Sequence, residues 1–440
     1  MADRLEEKKD FSEDVKTKIP EAKQLAELGH LSQALEVLMS LERNCRVGND
    51  ITNLKEVVLA MIRLCKDAGE WEQLNATLAL ISKRRAQHPK ATAAMVQEAM
   101  GWLDQTPDRA TKMALVMALR DVTDGRIFME GERAKLTRLL AAMKEEDGDI
   151  EGAADVMQEV AVEAYGALDK KEKADFILEQ IRLTLARKDY VRALIQSRKI
   201  NRKVIIEDDL QDIKVRFYEL MVQYYVHEQD AWELCQCYHS IYDTPAVAAD
   251  PARRQVALAA AAAFLVLSPH DNHQQDMLHR VARDPRLAEL PVYKELLRLF
   301  TTPEIIGYPL AAQAEIEAQP ALALGGTELL AKWKTDLHTR VVQHNVRVAA
   351  RYYRRVRLAR LAQLLGLSED GAERHVADMV CGGGLYARID RPAGVVAFAR
   401  PKPAEEVLTE WNSDISTLLA LVERTCHIIN KENMLHKATA

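Results

Sequence analysis

What most limits the folds open to this chain is a turn signal that returns at a near-constant interval. In Leu25-Ala26-Glu27-Leu28-Gly29-His30-Leu31-Ser32-Gln33-Ala34-Leu35 an apolar helix face ends, a glycine supplies a left-handed turn, and a new apolar face begins two residues later. The same grammar recurs at Gly69, followed by Trp71 and Leu74, and at Gly148, followed by Ile150 and Ala153. It recurs without glycine at Lys188, with Tyr190 and Ala193 behind it. Weaker copies stand at Arg109, with Ala114, and at Gln229, with Ala231 and Leu234. The turns at 29, 69, 109, 148, 188 and 229 give a period of about 40 residues. A unit of that length with one tight turn and no strand pattern is an antiparallel helix pair. One pair cannot bury its own apolar face, whereas stacked pairs can, so the expectation is a right-handed α-solenoid over residues 19–245.

Composition supports an all-α chain. Of 440 residues, 48% are hydrophobic and only 5% aromatic, with 14 Pro and 18 Gly to interrupt helices. Residues 1–18 hold 11 charged side chains and no apolar run, which predicts a charged flexible tail and not a secretory signal. The longest apolar run, residues 256–267, is alanine-rich and too short to span a bilayer, so it predicts a buried helix. Asp250-Pro251 and Thr302-Pro303-Glu304 both look like helix starts, and residues 307–326, with Pro309, Pro320 and a Gly-Gly pair, predict a long, partly mobile connection.

From residue 328 the pattern changes. A long helix (328–349) leads to Leu361 through Ser368, where Gly366 permits a sharp turn and Ser368 can cap the next helix. Ala362, Leu365, Ala372 and Val376 would form a small core. Leu385, Ala387 and Ile389 then alternate with Tyr386, Arg388 and Asp390, Arg391-Pro392-Ala393-Gly394 fits a type I turn, and residues 395–398 return as a second strand. Helix-turn-helix plus hairpin is a winged helix, residues 350–402, behind a helical part at 246–349. Pro401 and Pro403 precede a last helix within 403–440, where Leu408, Trp411, Ile415, Leu418, Val422 and Ile429 form a heptad seam. These six, with Tyr386 and Arg388 on the wing, are the expected protein-interface residues.

Chemistry is harder to find. No phosphate-loop, zincin or nucleophile-elbow motif occurs, and Gly382-Gly383-Gly384 precedes a strand and not a helix. His270, His273, Asp276 and His279 are the best metal candidates, but a solvated helix face explains them more simply. Cys235 and Cys237 lie two apart on one helix, pointing to different sides. Six scattered cysteines argue against a disulfide framework and for an intracellular chain with reduced thiols. No catalytic residue, cofactor or metal is expected. The net charge of −6 gives no nucleic-acid footprint, and the second helix of the helix-turn-helix carries Glu369, Asp370, Glu373 and Asp378, which would meet phosphates unfavourably. A basic stripe (Arg347, Arg351, Arg354, Arg355, Arg357, Arg360) beside Tyr352 and Tyr353 suits an acidic partner or, less readily, RNA. Lys83-Arg84-Arg85 is placed to complement a helix C-terminus.

A solenoid running into a winged helix and a terminal helix resembles the PCI family, the scaffold subunits shared by the proteasome lid, the COP-nine signalosome and translation initiation factor three. Leu80-Ile81-Ser82-Lys83-Arg84-Arg85, Phe176-Ile177-Leu178-Glu179-Gln180-Ile181-Arg182-Leu183, Ile241-Tyr242-Asp243-Thr244-Pro245, Leu299-Phe300-Thr301-Thr302 and Arg340-Val341-Val342-Gln343-His344-Asn345 are similar to the proteasome-lid branch. The resemblance implies a non-catalytic lid subunit, cytoplasmic and nuclear. Its implied partners are other PCI subunits of the lid, the lid deubiquitinase subunit, the ATPase ring and the core particle, with no nucleic acid or membrane. A signalosome scaffold subunit is the alternative, and an RNA-contacting initiation factor three subunit a more distant one. Residues 306–326 depart from the family pattern.

Overall fold

The structure, a computed structural model, describes residues 11–166, 168–201 and 210–439. Two compact units divide it: residues 1–229 with 236–257, and residues 230–235 with 258–440. Residues 1–10 of the expected tail lie outside the described residues. The remainder of that tail is not a tail, because helix α1 (Ser12–Glu27) already begins at Ser12, runs through Pro20 and buries Val15.

The first unit is built from helix pairs: α1 with α2 (Leu31–Val47), α3 (Ile51–Asp67) with α4 (Trp71–Lys83), α5 (Pro89–Met100) with α6 (Arg109–Thr123), α7 (Glu130–Glu146) with α8 (Ile150–Gln158), and α9 (Lys170–Ala186) with α10 (Tyr190–Lys199), followed by α11 (Gln211–Glu228). Each packs on its partner and on the next pair, which is how a stack of amphipathic pairs obtains a continuous core. The turns explain the register. Gly29, Gly69 and Gly148 have φ of 86°, 74° and 83°, and Lys188 and Gln229 take the same left-handed region without glycine. In four of these turns the amide three residues past the helix closes back on a carbonyl five residues earlier: His30 on Leu25, Glu70 on Cys65, Asp149 on Lys144 and Asp189 on Thr184, at 2.9–3.1 Å. The fourth residue of the following helix is then buried: Ala34, Leu74, Ala153, Ala193 and Leu234.

The copy expected at Arg109 is different. Arg109 is the first residue of α6, reached through Gly101 and a single 3-10 turn (Leu103–Gln105) that buries Trp102 and Leu103. With eight residues in place of a tight turn, α6 enters rotated, so Ala114 is exposed and Leu115 and Leu119 are buried instead.

Polar groups fasten the pairs where turns do not. Helix α4 ends without glycine, and Arg126 from a later repeat donates to the Ser82 carbonyl at 2.6 Å. Buried Gln180 donates to the Met157 and Val160 carbonyls at 2.7 and 3.1 Å, closing the end of α8. Glu42 is fully buried and paired with Arg46 at 3.1 Å and with Arg84. Arg84 of the Lys83-Arg84-Arg85 run therefore neutralises an internal carboxylate from the preceding pair. Further along, Arg182 grips Glu145 through two parallel hydrogen bonds, one of 2.6 Å, which holds that carboxyl below the usual range.

Beyond α11, α12 (Ala231–Tyr242), α13 (Pro245–Ala249) and α14 (Pro251–Leu267) carry the chain from one unit to the other, past the boundary expected at 245. Asp250 does cap α14, its Oδ1 accepting from Ala252 at 3.0 Å, and the alanine run is buried throughout residues 257–267. In the second unit follow α15 (Asn272–Ala282), α16 (Pro291–Thr301), α17 (Gln313–Glu317), α18 (Pro320–Ala323) and the long α19 (Gly326–Tyr352). Thr302-Pro303-Glu304 starts no helix. It closes α16, proline being as suited to stopping a helix as to opening one. Nor are residues 307–326 a loose connection: Leu310, Ile316, Ala321 and Leu322 are buried, and Tyr293 Oη donates to Gln319 Oε1 at 3.1 Å.

The winged helix forms as expected, with one strand more. Helices α20 (Leu358–Leu365) and α21 (Glu369–Cys381) meet at Gly366, φ 66°, and Ser368 Oγ accepts from the Gly371 amide at 3.2 Å. Strand β1 (Arg355–Arg357), unforeseen in the sequence, joins β2 (Arg388–Asp390) and β3 (Val395–Ala397) in an antiparallel sheet of order β1-β3-β2, with Val356 and Ile389 both opposite Val396. Ala362, Leu365, Ala372, Val376, Val396 and Phe398 form its core. The chain ends in α22 (Ala404–Thr439), 36 residues long.

Candidate functional site

The residues that set this chain apart from a self-contained fold lie in its last 55 residues or so. Every described side chain of α22 is exposed. Leu408, Trp411, Ile415, Leu418, Val422 and Ile429 are 40–63% accessible, although they alternate at the spacing of a buried seam. The helix does not fold back onto the winged helix. Its apolar face is also wider than the sequence seam: Leu421, Ile428 and Leu435 recur every seven residues along one flank, and Leu419 and Val407 add to the margins. A two-in-seven stripe serves one neighbour, while this broader face can contact more than one. Reading only the best heptad had hidden the second ridge.

The wing offers a different surface. Tyr386 and Arg388 point outward while Leu385, Ala387 and Ile389 turn toward the winged-helix core. Tyr386 lies before β2 and not in it, because only residues 388–390 pair with β3. Its ring carries the Arg400 guanidinium 5.7 Å from the centroid. Strand β2 bonds to β3 on one side alone, so its other edge presents unpaired backbone groups, the kind of edge another strand can extend.

Folding divides the basic stripe, leaving Arg347 and Arg351 together on α19 and the later arginines on other elements. Arg347 is half-buried on α19 and Arg351 exposed one turn on. Arg355 and Arg357 flank buried Val356 in β1, and Arg360 bonds to Gln363 Oε1 on α20. The acidic face of α21 is partly engaged inside the domain, Glu373 accepting from Arg391 at 2.7 Å. Of the histidine cluster, His273 and His279 stand exposed, Asp276 pairs with Arg280 at 3.1 Å, and His270 Nε2 accepts from Gln275 Nε2 at 2.9 Å. Among the described residues no group of three or more His, Cys, Asp or Glu is placed to hold a metal ion. Cys235 is buried, which pushes its thiol up to about 12. No helix among the described residues is long and apolar enough to cross a membrane.

Stacked helix pairs, a winged helix and a projecting amphipathic helix together define a PCI-type protein. Family models match in that order: PSMD12/CSN4, N-terminal, over residues 33–250; the PCI domain over 316–400; and the 26S proteasome regulatory subunit RPN5 C-terminal domain over 405–437. The chain is 39% identical over 417 residues to 26S proteasome non-ATPase regulatory subunit 12 of Dictyostelium discoideum, covering 95% of this chain and 93% of that one. It is 40% identical to homolog A of that subunit in Arabidopsis thaliana, over 94% of this chain and 99% of the other. With 26S proteasome regulatory subunit RPN5 of Saccharomyces cerevisiae it shares 35% identity over 97% of each. The chain belongs to this family of 26S proteasome regulatory subunits.

Proposed function

We propose that the chain is a non-catalytic structural subunit of the 26S proteasome regulatory-particle lid, acting in ubiquitin-dependent protein degradation in cytoplasm and nucleus. The observation that carries this reading is α22: an apolar face that none of the other described residues covers, on the segment matched by the RPN5 C-terminal model. Exposing that face in a monomer is costly, and burying it among helices of other subunits removes the cost. Leu408, Trp411, Ile415, Leu418, Val422 and Ile429 would enter such a bundle. The free edge of β2, with Tyr386 and Arg388 beside it, would dock a neighbouring PCI subunit. The helix pairs would lie toward the ATPase ring, the core particle and the deubiquitinase subunit.

A signalosome subunit is the second reading, since the N-terminal family model covers both lineages. The C-terminal model and the full-length relatives favour the proteasome. An RNA-contacting role loses its support with the dispersal of the arginine stripe. Affinity purification of the tagged chain tests the reading: proteasome ATPases should co-purify, whereas cullins without ATPases would transfer the chain to the signalosome.

A further inference from the structure

One stripe of α19, Arg340, His344, Arg347 and Arg351, faces α15 and the end of α16. Its first two members are occupied. Arg340 Nε donates to the Leu267 carbonyl at 3.0 Å, and His344 Nε2 meets the Glu304 carbonyl at 3.1 Å. The next two are not: among the described residues neither Arg347 nor Arg351 has a hydrogen-bond acceptor or an ion-pair partner. Both line a cleft of about 170 Å³, with His270, Gln275, Leu278, Phe300 and Val348 among its other lining residues. No carboxylate lines it.

Arg347 is half-buried, and a guanidinium so placed gains from an acceptor that its own surroundings do not supply. Here the fold supplies every other ingredient of an anion site: two cations on successive turns, neutral donors, apolar walls that weaken screening, and no competing acid. Burial, with the positive charge of Arg340 adding to it, brings Arg347 down to about 10, which still leaves it charged at neutral pH. Burial likewise lowers His270 and His344, which favours their neutral forms.

We propose that this cleft binds a phosphate-type oxyanion, with Arg347 at its floor and Arg351 at its rim as the charged ligands and Gln275 and His270 as neutral donors. A carboxylate carries one charge and would leave one guanidinium uncompensated. A phosphate dianion matches both and presents oxygens in three directions. That phosphate could belong to a free phosphorylated metabolite or to a phosphorylated side chain of a neighbouring subunit.

Calorimetric titration of the purified full-length chain tests this, with inorganic phosphate, phosphoserine and glutamate as probes at fixed ionic strength. Single-site binding of phosphate is expected, with glutamate roughly tenfold weaker or worse. Arg347→Gln should abolish the heat and Arg351→Gln should weaken it about tenfold, while Arg374→Gln, on the exposed face of α21, should change nothing. Because Arg351 is exposed, its variant keeps the test valid even where Arg347→Gln fails to fold. Phosphoserine binding tighter than phosphate points to a phosphorylated side chain, and equal binding to a free phosphate compound. No saturable phosphate binding up to about 10 mM, equal affinity for glutamate, or full binding by Arg351→Gln would each overturn the proposal.

Discussion

Helices α3 and α4 and helix α22 are made from similar material, leucine-rich amphipathic sequence with charged residues between the apolar positions, yet they solve opposite problems. Leu74, Leu78 and Ile81 of α4 are fully buried because α3 of the same pair and α5 and α6 of the next receive them. Leu418, Leu421 and Val422 of α22 are 52–61% accessible, because no helix among the described residues packs on them. A repeat supplies its own partners by duplication, whereas a unique terminal helix must obtain them from another molecule. The polar chemistry follows the same division. Glu42 is satisfied by Arg46 and Arg84 inside the stack, while the charges of α22 are solvent-exposed.

The comparison can be broken most sharply with one substitution in each region. Leu78→Ala should cost roughly 2–5 kcal/mol in the isolated chain, read by denaturant unfolding. Leu418→Ala should leave the same transition unmoved and impair only assembly. Equal losses in both would show that α22 belongs to the chain's own core. Next in size, Glu42→Ala would leave the two partly buried guanidinium groups of Arg46 and Arg84 without the carboxylate they share, at about 3 kcal/mol of stability. A smaller loss than that of an exposed carboxylate variant such as Glu410→Ala would contradict the closed ion triad. The smallest effects concern the turns. Adding a Cβ at Gly148 meets no atom within 4 Å, so Gly148→Ala tests backbone strain alone, about 1 kcal/mol. Lys188→Gly, at a turn where the side chain already endures positive φ, should raise stability by a similar amount, and thermal melting of both variants gives the answer.

Much of this architecture was legible in the sequence because left-handed turns leave a chemical trace. Gly29, Gly69 and Gly148 mark them outright, and the buried Ala34, Leu74 and Ala153 behind them confirm the register. The reading slipped at Arg109, where a period was extrapolated across a connection that Gly101 and Trp102 had lengthened. Thr302-Pro303 was ambiguous for a physical reason, since proline fits the first turn of one helix and the stop of another equally well. Strand β1 is three residues within an arginine run, too short to show alternation, and pairing with β3 alone brings it into being. The Glu42 triad joins residues 42 apart, which no local pattern announces. Of the proposed interface, the seam on α22 was readable from its spacing, but the flank formed by Leu421, Ile428 and Leu435 became visible only once every described side of the helix proved bare.

The central claim, that α22 is an assembly element carried by an otherwise self-sufficient chain, has a direct test. Residues from Glu405 onward are deleted, and two quantities are measured on the same preparation: the melting temperature of the purified chain, and its incorporation into the regulatory particle in cells. The account predicts an unchanged melting temperature with incorporation lost. A lowered melting temperature, or normal incorporation of the shortened chain, would contradict it.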